Sequence, residues 1–285
     1  MTELKSMAMA KINLTLDIAG RRDDGYHNIE SIMQSVTLCD IVSLSLSDGG
    51  GKITVNCFGK SCGEENTAYK AALEFMKISG KRFDVHIDIE KQIPQAAGLG
   101  GGSADAAAVL SMLNTAYGPI SDDDLCRAAL GVGADVPFCL SGGTALVKGI
   151  GEKITQLQHI GDYYVVIVKS GEKNSTGQMY GMIDSMSDSR THFTQDFLQK
   201  YDNDDFCGAI KCTGNIFSRL YSGYGSLAAG IQNFSPMAVS LSGAGPSIYG
   251  MFDSETAAKN CLEYYMANAT KAYICKTCSC GVSLL

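Results

Sequence analysis

Pro94-Gln95-Ala96-Ala97-Gly98-Leu99-Gly100-Gly101-Gly102-Ser103-Ala104 is the stretch around which this chain is organised. Residues 83–89 before it alternate as a strand does, and residues 103–117 after it repeat as a helix does. Four glycines in five positions cost backbone entropy and need a reason. A loop of this kind lets successive backbone N–H groups converge on an anion, with the positive end of the following helix aimed at the same point. It reads as a phosphate cradle, with a tight strand-to-helix turn that binds nothing as the alternative. It is not a P-loop, because Ser103 and Ala104 stand where Lys and Ser/Thr would follow the last glycine. It is not the dinucleotide fingerprint, because Ser103 takes the place of the third glycine counted from Gly98.

The chain around it is globular in composition. Its 285 residues suffice for one large or two modest domains. With 45% hydrophobic and 19% charged residues it buries a core. A net charge of −7 argues against nucleic acid as the main partner, so attraction for a phosphate has to be local, from glycine amides and a few lysines. No apolar run reaches bilayer length and no signal peptide is read, so no membrane association is expected and the cytoplasm is. Eleven cysteines, several in apolar runs (Cys39, Cys57, Cys139, Cys261), then read as reduced thiols acting as small hydrophobes. Cys275, Cys278 and Cys280 cluster with no His nearby, and read as core or surface thiols ahead of zinc ligands.

Towards the N-terminus, residues 9–18 alternate. Ala10, Ile12, Leu14, Leu16 and Ile18 fall on one face, and Lys11, Asn13, Thr15 and Asp17 on the other, which predicts a half-buried strand. Lys11 and Asn13 would stand roughly 7 Å apart on its polar side. A glycine-bounded turn, Gly25-Tyr26-His27, follows. Residues 29–38 and 41–46 read as two strands, and Asp48-Gly49-Gly50-Gly51 as a turn into a hairpin with residues 53–58. Asn66 reads as the cap of a helix with Ala68, Ala72, Phe75 and Met76 on one stripe, closed by Gly80. The strand at 83–89 puts Asp84, His86, Asp88 and Glu90 on its wet side.

Towards the C-terminus, Ser103 is expected to cap an Ala-rich helix that Gly118 ends. Ser121 opens another helix, with Asp122, Asp123 and Asp124 complementing its dipole. Asp135, between small residues and Pro137, reads either as a helix cap or as a functional acid. A strand at 163–168 begins a second half. Residues 185–205 are polar and acidic, a loop with a short helix. Ser242-Gly243-Ala244-Gly245-Pro246-Ser247 is a second glycine-rich loop between short strands. The whole reads as α+β, with domains at 1–158 and 159–285.

Taken in order, the Lys11 strand, the central glycine loop and the Ser-Gly-Ala-Gly-Pro loop resemble the GHMP kinase superfamily. Ala10-Lys11-Ile12-Asn13-Leu14, Gly25-Tyr26-His27 and Gly133-Ala134-Asp135-Val136-Pro137-Phe138 look like its branch in the non-mevalonate isoprenoid pathway, which uses ATP to phosphorylate the 2-hydroxyl of a cytidyl-diphospho-methylerythritol. The resemblance runs from about residue 8 to residue 252. It implies a ribosomal protein S5 domain 2-like N-terminal domain, a ferredoxin-like C-terminal domain and an active site in the cleft between them. It also implies Lys11 and Asp135 as catalytic residues. ATP would lie on Pro94, Gln95, Ala96, Ala97, Gly98, Leu99, Gly100, Gly101, Gly102, Ser103 and Ala104, with Asn66 near the nucleotide. The cytidyl substrate would lie on Asn13, Tyr26, His27 and Tyr180. One departure is that Ser218, three residues after Asn215, stands where the family usually has an acid.

Those residues permit a phosphoryl transfer, in which positioning and charge stabilisation do most of the catalysis. Asp135 would take the proton of the tertiary alcohol. Lys11 would keep Asp135 ionised and offset charge on the reacting oxygens. Mg²⁺ is expected with ATP, its protein ligand unassigned, with Ser103 as the candidate. Tyr26 and Tyr180 would stack on cytosine and His27 would bond its edge. The competing functions are a sister kinase acting on homoserine, mevalonate or a sugar, and a non-catalytic ligand-binding relative. Oligomeric state is not legible.

Overall fold

The computed structural model describes residues 2–169, 171, 176–186 and 190–285. The alternating N-terminal run forms β1 (Thr2–Asn13) and β2 (Thr15–Arg21), broken at Leu14, whose N–H turns to Ile32 O at 2.7 Å. The expected half-buried strand is corrected here: Lys11 and Asn13 are buried as thoroughly as Ala10 and Ile12. The polar face is covered because the glycine-rich loops close over it.

Residues 29–46 form one strand, not two. This is β3 (His27–Ser47), 21 residues long, and a register shift opposite Met9 and Ala10 lets its stretch 33–46 pair along the whole length of β1. β4 (Ile53–Cys57) and β5 (Lys60–Cys62) follow as a small hairpin. β3 and β4 do not pair as expected. The chain instead crosses over through α1 (Thr67–Ser79) to β6 (Asp84–Glu90), which inserts between them, antiparallel to β3 and parallel to β4. A parallel neighbour needs such a crossover, and the helix supplies it. α1 starts as expected, with the Asn66 side chain accepting Ala68 N–H at 2.8 Å, and ends at Gly80 in the left-handed region.

α2 (Gly101–Tyr117) begins three residues before the start that a Ser103 cap would give. Its cap position is Gly100 at φ 69° with no side-chain cap bond, and Ser103 is already inside the helix. Glycine takes this left-handed entry without the strain a side chain would add. α3 (Asp122–Val132) is capped by Ser121, and α4 (Val136–Ser141) is short. β7 (Thr144–Gly149) and β8 (Lys153–Leu157) form a hairpin on β3.

β9 (Tyr164–Lys169) begins a second sheet, followed by α5 (Thr176–Asp184), α6 (Phe193–Tyr201) and α7 (Phe206–Lys211). The helix read within 185–205 is α6, and residues 187–189 of that stretch lie outside the described residues. After β10 (Gly214–Asn215) come α8 (Tyr224–Gln232), β11 (Ala238–Leu241), β12 (Ser247–Phe252), α9 (Glu255–Ala267), β13 (Lys271–Lys276) and β14 (Val282–Leu284). The second sheet runs β11-β12-β9-β13, all antiparallel. β10 and β14 return to the first sheet, beside β2 and β1.

The fold is α+β. Cys139, Cys261 and Cys275 are packed in the core. Burial pushes the Cys275 and Cys278 thiols up to about 12, which keeps both protonated. Among the described residues no group of three or more His, Cys, Asp or Glu is disposed to hold a metal. Nor is any helix among them long and apolar enough to cross a membrane.

Candidate active site

β1 delivers Lys11 to the floor of a cavity of about 930 Å³. Its ammonium donates to Asn13 Oδ1 at 2.8 Å and lies 3.5 Å from Asp135 Oδ2. The Lys11 side chain is 4% exposed and that of Asp135 35%, so the cation is fixed inside while the carboxylate opens to the cavity. Asn13 Oδ1 also accepts Gly243 N–H at 2.9 Å, and Asn13 Nδ2 donates to Ser31 Oγ at 2.9 Å. The amide is thus committed to holding Lys11, with one amide proton to spare. Asp135 occupies the cap position of α4, but in a helical conformation with no side-chain cap bond. Of its two sequence readings it has the cap's position without the cap's hydrogen bond, so its carboxylate is available to Lys11 and to the cavity.

The central loop is clamped from both sides. A Cβ on Gly100 would stand 2.9 Å from Lys11 Cγ, and one on Gly98, at φ 77°, 2.2 Å from Ser242 O. Ser242 Oγ donates to Gly98 O at 2.9 Å, Thr67 Oγ1 to Gly102 O at 2.6 Å, and Lys169 Nζ to Gln95 O at 2.7 Å. Lys11 N–H donates to Leu99 O at 3.0 Å. These bonds hold the loop by its carbonyls. Among the described residues, none of the backbone N–H groups from Gln95 to Ser103 donates to a protein acceptor. A row of free donors at an uncapped helix N-terminus is an anion site.

Beneath the loop, Lys91 donates to Asp105 Oδ2 at 2.7 Å and to Asp40. Asp40 Oδ1 accepts the N–H groups of Gln92 and Ile93 at 2.6 and 2.8 Å. Asp105 Oδ1 is buried without a partner. Burial pushes the Asp105 carboxyl up to about 7, against the pull of Lys91, because one ammonium cannot balance two buried carboxylates.

At the far end, His27 Nε2 lies 2.7 Å from Asp184 Oδ1 and its ring stacks on Tyr180, with centroids 4.9 Å apart at 21°. Tyr180 meets the edge of Phe217 at 5.1 Å, and burial pushes its phenol up to about 12. Tyr26 is 64% exposed at the rim and, among the described residues, touches no other ring. The two tyrosines read as a sandwich are therefore not in contact, and His27 covers the face of Tyr180.

Lys11, Asn13, Tyr26, His27, Asn66, Asp135, Tyr180 and residues 94–103 all line this one cavity. Asn66 does so while its side-chain oxygen caps α1. Ala104 is set back, fully buried, its N–H spent on Gly100 O. The cavity also holds Arg21, Thr67, Lys91, Asp105 and Asp184, which the sequence reading passed over. Asp105 had a signal, a lone charge in an Ala-rich helix, whereas Asp184 had none because only tertiary packing brings it to His27. Asn215 was missed as a brace: its Nδ2 donates to Leu241 O and Gly243 O, both at 2.8 Å.

Free loop N–H groups, a buried lysine and an open carboxylate thus share one cavity, and the comparisons with known proteins place the chain among the small-molecule kinases of the GHMP type. Residues 66–143 match the GHMP kinases N terminal domain. The chain is 35% identical to the 4-diphosphocytidyl-2-C-methyl-D-erythritol kinase of Clostridium novyi, over 95% of its own length and 98% of the relative's. A crystal structure of 4-(cytidine 5'-diphospho)-2C-methyl-D-erythritol kinase superposes with a TM-score of 0.76 at 27% identity, covering 96% of this chain and 98% of that one. A homoserine kinase from Cytophaga hutchinsonii matches with the same TM-score, 0.76, at 19% identity, over 99% and 97% of the two chains, and shares the fold alone. The chain belongs to the 4-diphosphocytidyl-2-C-methyl-D-erythritol kinase family. It is a kinase, and the family implies ATP as its phosphoryl donor.

Proposed function

We propose that this enzyme transfers the γ-phosphoryl group of ATP to the 2-hydroxyl of 4-diphosphocytidyl-2-C-methyl-D-erythritol, the compound its relatives are named for. The observation that carries the mechanism is the Lys11–Asp135 pair at 3.5 Å, in the cavity lined by the unpartnered loop N–H groups. In this reading Asp135 accepts the hydroxyl proton as that oxygen bonds to the γ-phosphorus. The bond from phosphorus to the β,γ-bridging oxygen breaks, and ADP leaves. Lys11 offsets charge on the transferring oxygens, held in place by Asn13. The N–H groups of residues 95–103 hold the phosphates, and the cytidyl end lies against Tyr26, His27 and Tyr180.

The residues present fit a magnesium ion carried mainly by the nucleotide. The described part of the cavity offers isolated oxygens such as Ser103 Oγ, not a protein cage, and that oxygen would hold the ion beside the nucleotide. When bound it neutralises phosphate charge. We assign the two domains to the stretches 1–158 and 159–285, the second lending β10 and β14 to the sheet of the first, and the enzyme to the cytoplasm. The test is ADP release across a panel containing the cytidyl substrate, homoserine, mevalonate and a sugar. Turnover confined to the cytidyl substrate is expected. Turnover of a simple alcohol in its place, or binding of ATP and the cytidyl compound without transfer, overturns the assignment.

A further inference from the structure

Asp184 sits where no chemical step of the transfer needs a carboxylate. α5 presents it one turn beyond Tyr180, so one helix face carries both the ring that stacks on His27 and the acid that bonds it. The His27 side chain is only 7% exposed, while Asp184, which its Nε2 meets at 2.7 Å, is open to solvent on its outer side. Arg21 Nη1 lies 3.3 Å from the other oxygen of Asp184 and keeps that carboxylate turned towards β2. The hydrogen bond from His27 holds the Asp184 carboxyl below the usual carboxylate range, so it stays an acceptor at neutral pH. An ionised carboxylate can only accept, which makes His27 Nε2 the donor. Among the described residues His27 Nδ1 has no hydrogen-bond partner, and the ring lines the cavity.

We infer that Asp184 is a positioning residue that accepts the hydrogen bond from His27 Nε2 and so leaves Nδ1 as the acceptor that selects a 4-aminopyrimidine over a 4-oxopyrimidine base. The inference rests on the proposed cytidyl site. Cytosine offers an amino donor at that edge, and uracil offers a carbonyl oxygen. Facing the Nδ1 lone pair, the first forms a hydrogen bond and the second sets acceptor against acceptor. A site built to receive a hydrogen bond rejects the ligand that cannot give it, because its own polar group is then left unpaired. Asp184→Asn keeps the size of the side chain, but its amide can donate as well as accept. That frees either ring nitrogen to carry the proton.

The test uses binding of CDP and UDP, which needs no turnover, beside nitrogen-15 shifts of the His27 ring at pH 7.5. In the wild type the shifts are expected to show a protonated Nε2 and a bare Nδ1, with CDP bound in preference to UDP. Asp184→Asn is expected to mix the tautomers and to lower the CDP-to-UDP affinity ratio about tenfold or more, mainly by loss of CDP affinity. Arg21→Ala loosens the Asp184 carboxylate without removing it, and is expected to lower the ratio less than Asp184→Asn does. A doubly protonated or Nδ1–H ring in the wild type, or an unchanged ratio in Asp184→Asn, overturns the role of Asp184. If neither diphosphate binds the wild type, the cytidyl site itself is refuted, and this inference falls with it. If CDP binds selectively but the cytidyl ester is not phosphorylated, the proposed function fails while the role of Asp184 stands.

Discussion

Asp135 and Asp105 are acids in one cavity with opposite circumstances. Asp135 makes no cap bond and is a third exposed, so its carboxylate serves the cavity and the buried Lys11 ammonium beside it. Asp135→Ala is expected to lower kcat at least about a hundredfold while the protein stays folded, with some stability lost because Lys11 is left buried without its counter-charge. Near-normal turnover removes it from the role of base. Asp105 is enclosed with Lys91 and Asp40, and burial raises its carboxyl to about 7. Its value in the folded chain therefore lies above that of an unfolded aspartate, about 3.9. A raised group contributes stability that is fully present below the unfolded value and is lost as pH climbs through the folded one. Asp105→Asn cannot titrate. The melting temperature of wild type relative to that variant is expected to fall between about pH 4 and pH 8. A difference that stays flat over that range contradicts the raised value.

The central loop is an element whose glycines are required by what lies against them. Gly98→Ala places a methyl group against a backbone carbonyl of the second glycine loop and forces a left-handed φ on a residue with a side chain. It is expected to cost about 1–3 kcal/mol in chemical denaturation and to raise the KM for ATP more than that for the second substrate. At the other end of the cavity, Tyr26 stands apart from the His27–Tyr180 stack. Tyr26→Ala is expected to raise the KM of the cytidyl substrate more than that of ATP, without loss of stability, because its ring is mostly in water. Equal rises in both KM values contradict base stacking. These two elements show what local pattern can reveal. The glycine loop, the Asn66 and Ser121 caps and the strand at Lys11 were legible, because spacing and capping chemistry are local. That Lys11 and Asn13 lie on a buried polar face was not legible, since alternation marks two faces without saying what covers each. The intrusion of β6 between β3 and β4 was hidden for a similar reason: a turn signal marks a reversal, not the neighbour the chain then finds.

The second sheet meets the first directly behind the Lys11–Asp135 pair. Tyr249, on the second sheet, is fully buried and donates its phenol to Asn13 O at 2.8 Å. Burial raises that phenol well above its ordinary value, so it remains a neutral donor across the working pH range. Gly243 N–H reaches Asn13 Oδ1 from the loop that Asn215 braces. One asparagine therefore carries contacts from the second half on both its backbone and its side chain, and the same side chain accepts from Lys11. A loss at this junction should reach chemistry as well as stability, whereas a loss elsewhere in the second sheet should reach stability alone. Tyr249→Phe leaves the Asn13 carbonyl buried and unpaired, and is expected to cost about 1–3 kcal/mol. Ile231→Val trims a fully buried side chain of α8, away from the cavity, at a cost of about 0.5–1.5 kcal/mol. At a temperature where both variants are fully folded, Tyr249→Phe is expected to lose kcat several-fold and Ile231→Val to keep it. The cause would be that Asn13, free to shift, no longer holds the Lys11 ammonium against Asp135. Equal kcat in the two variants would show that the junction holds the halves together without setting the geometry of the pair.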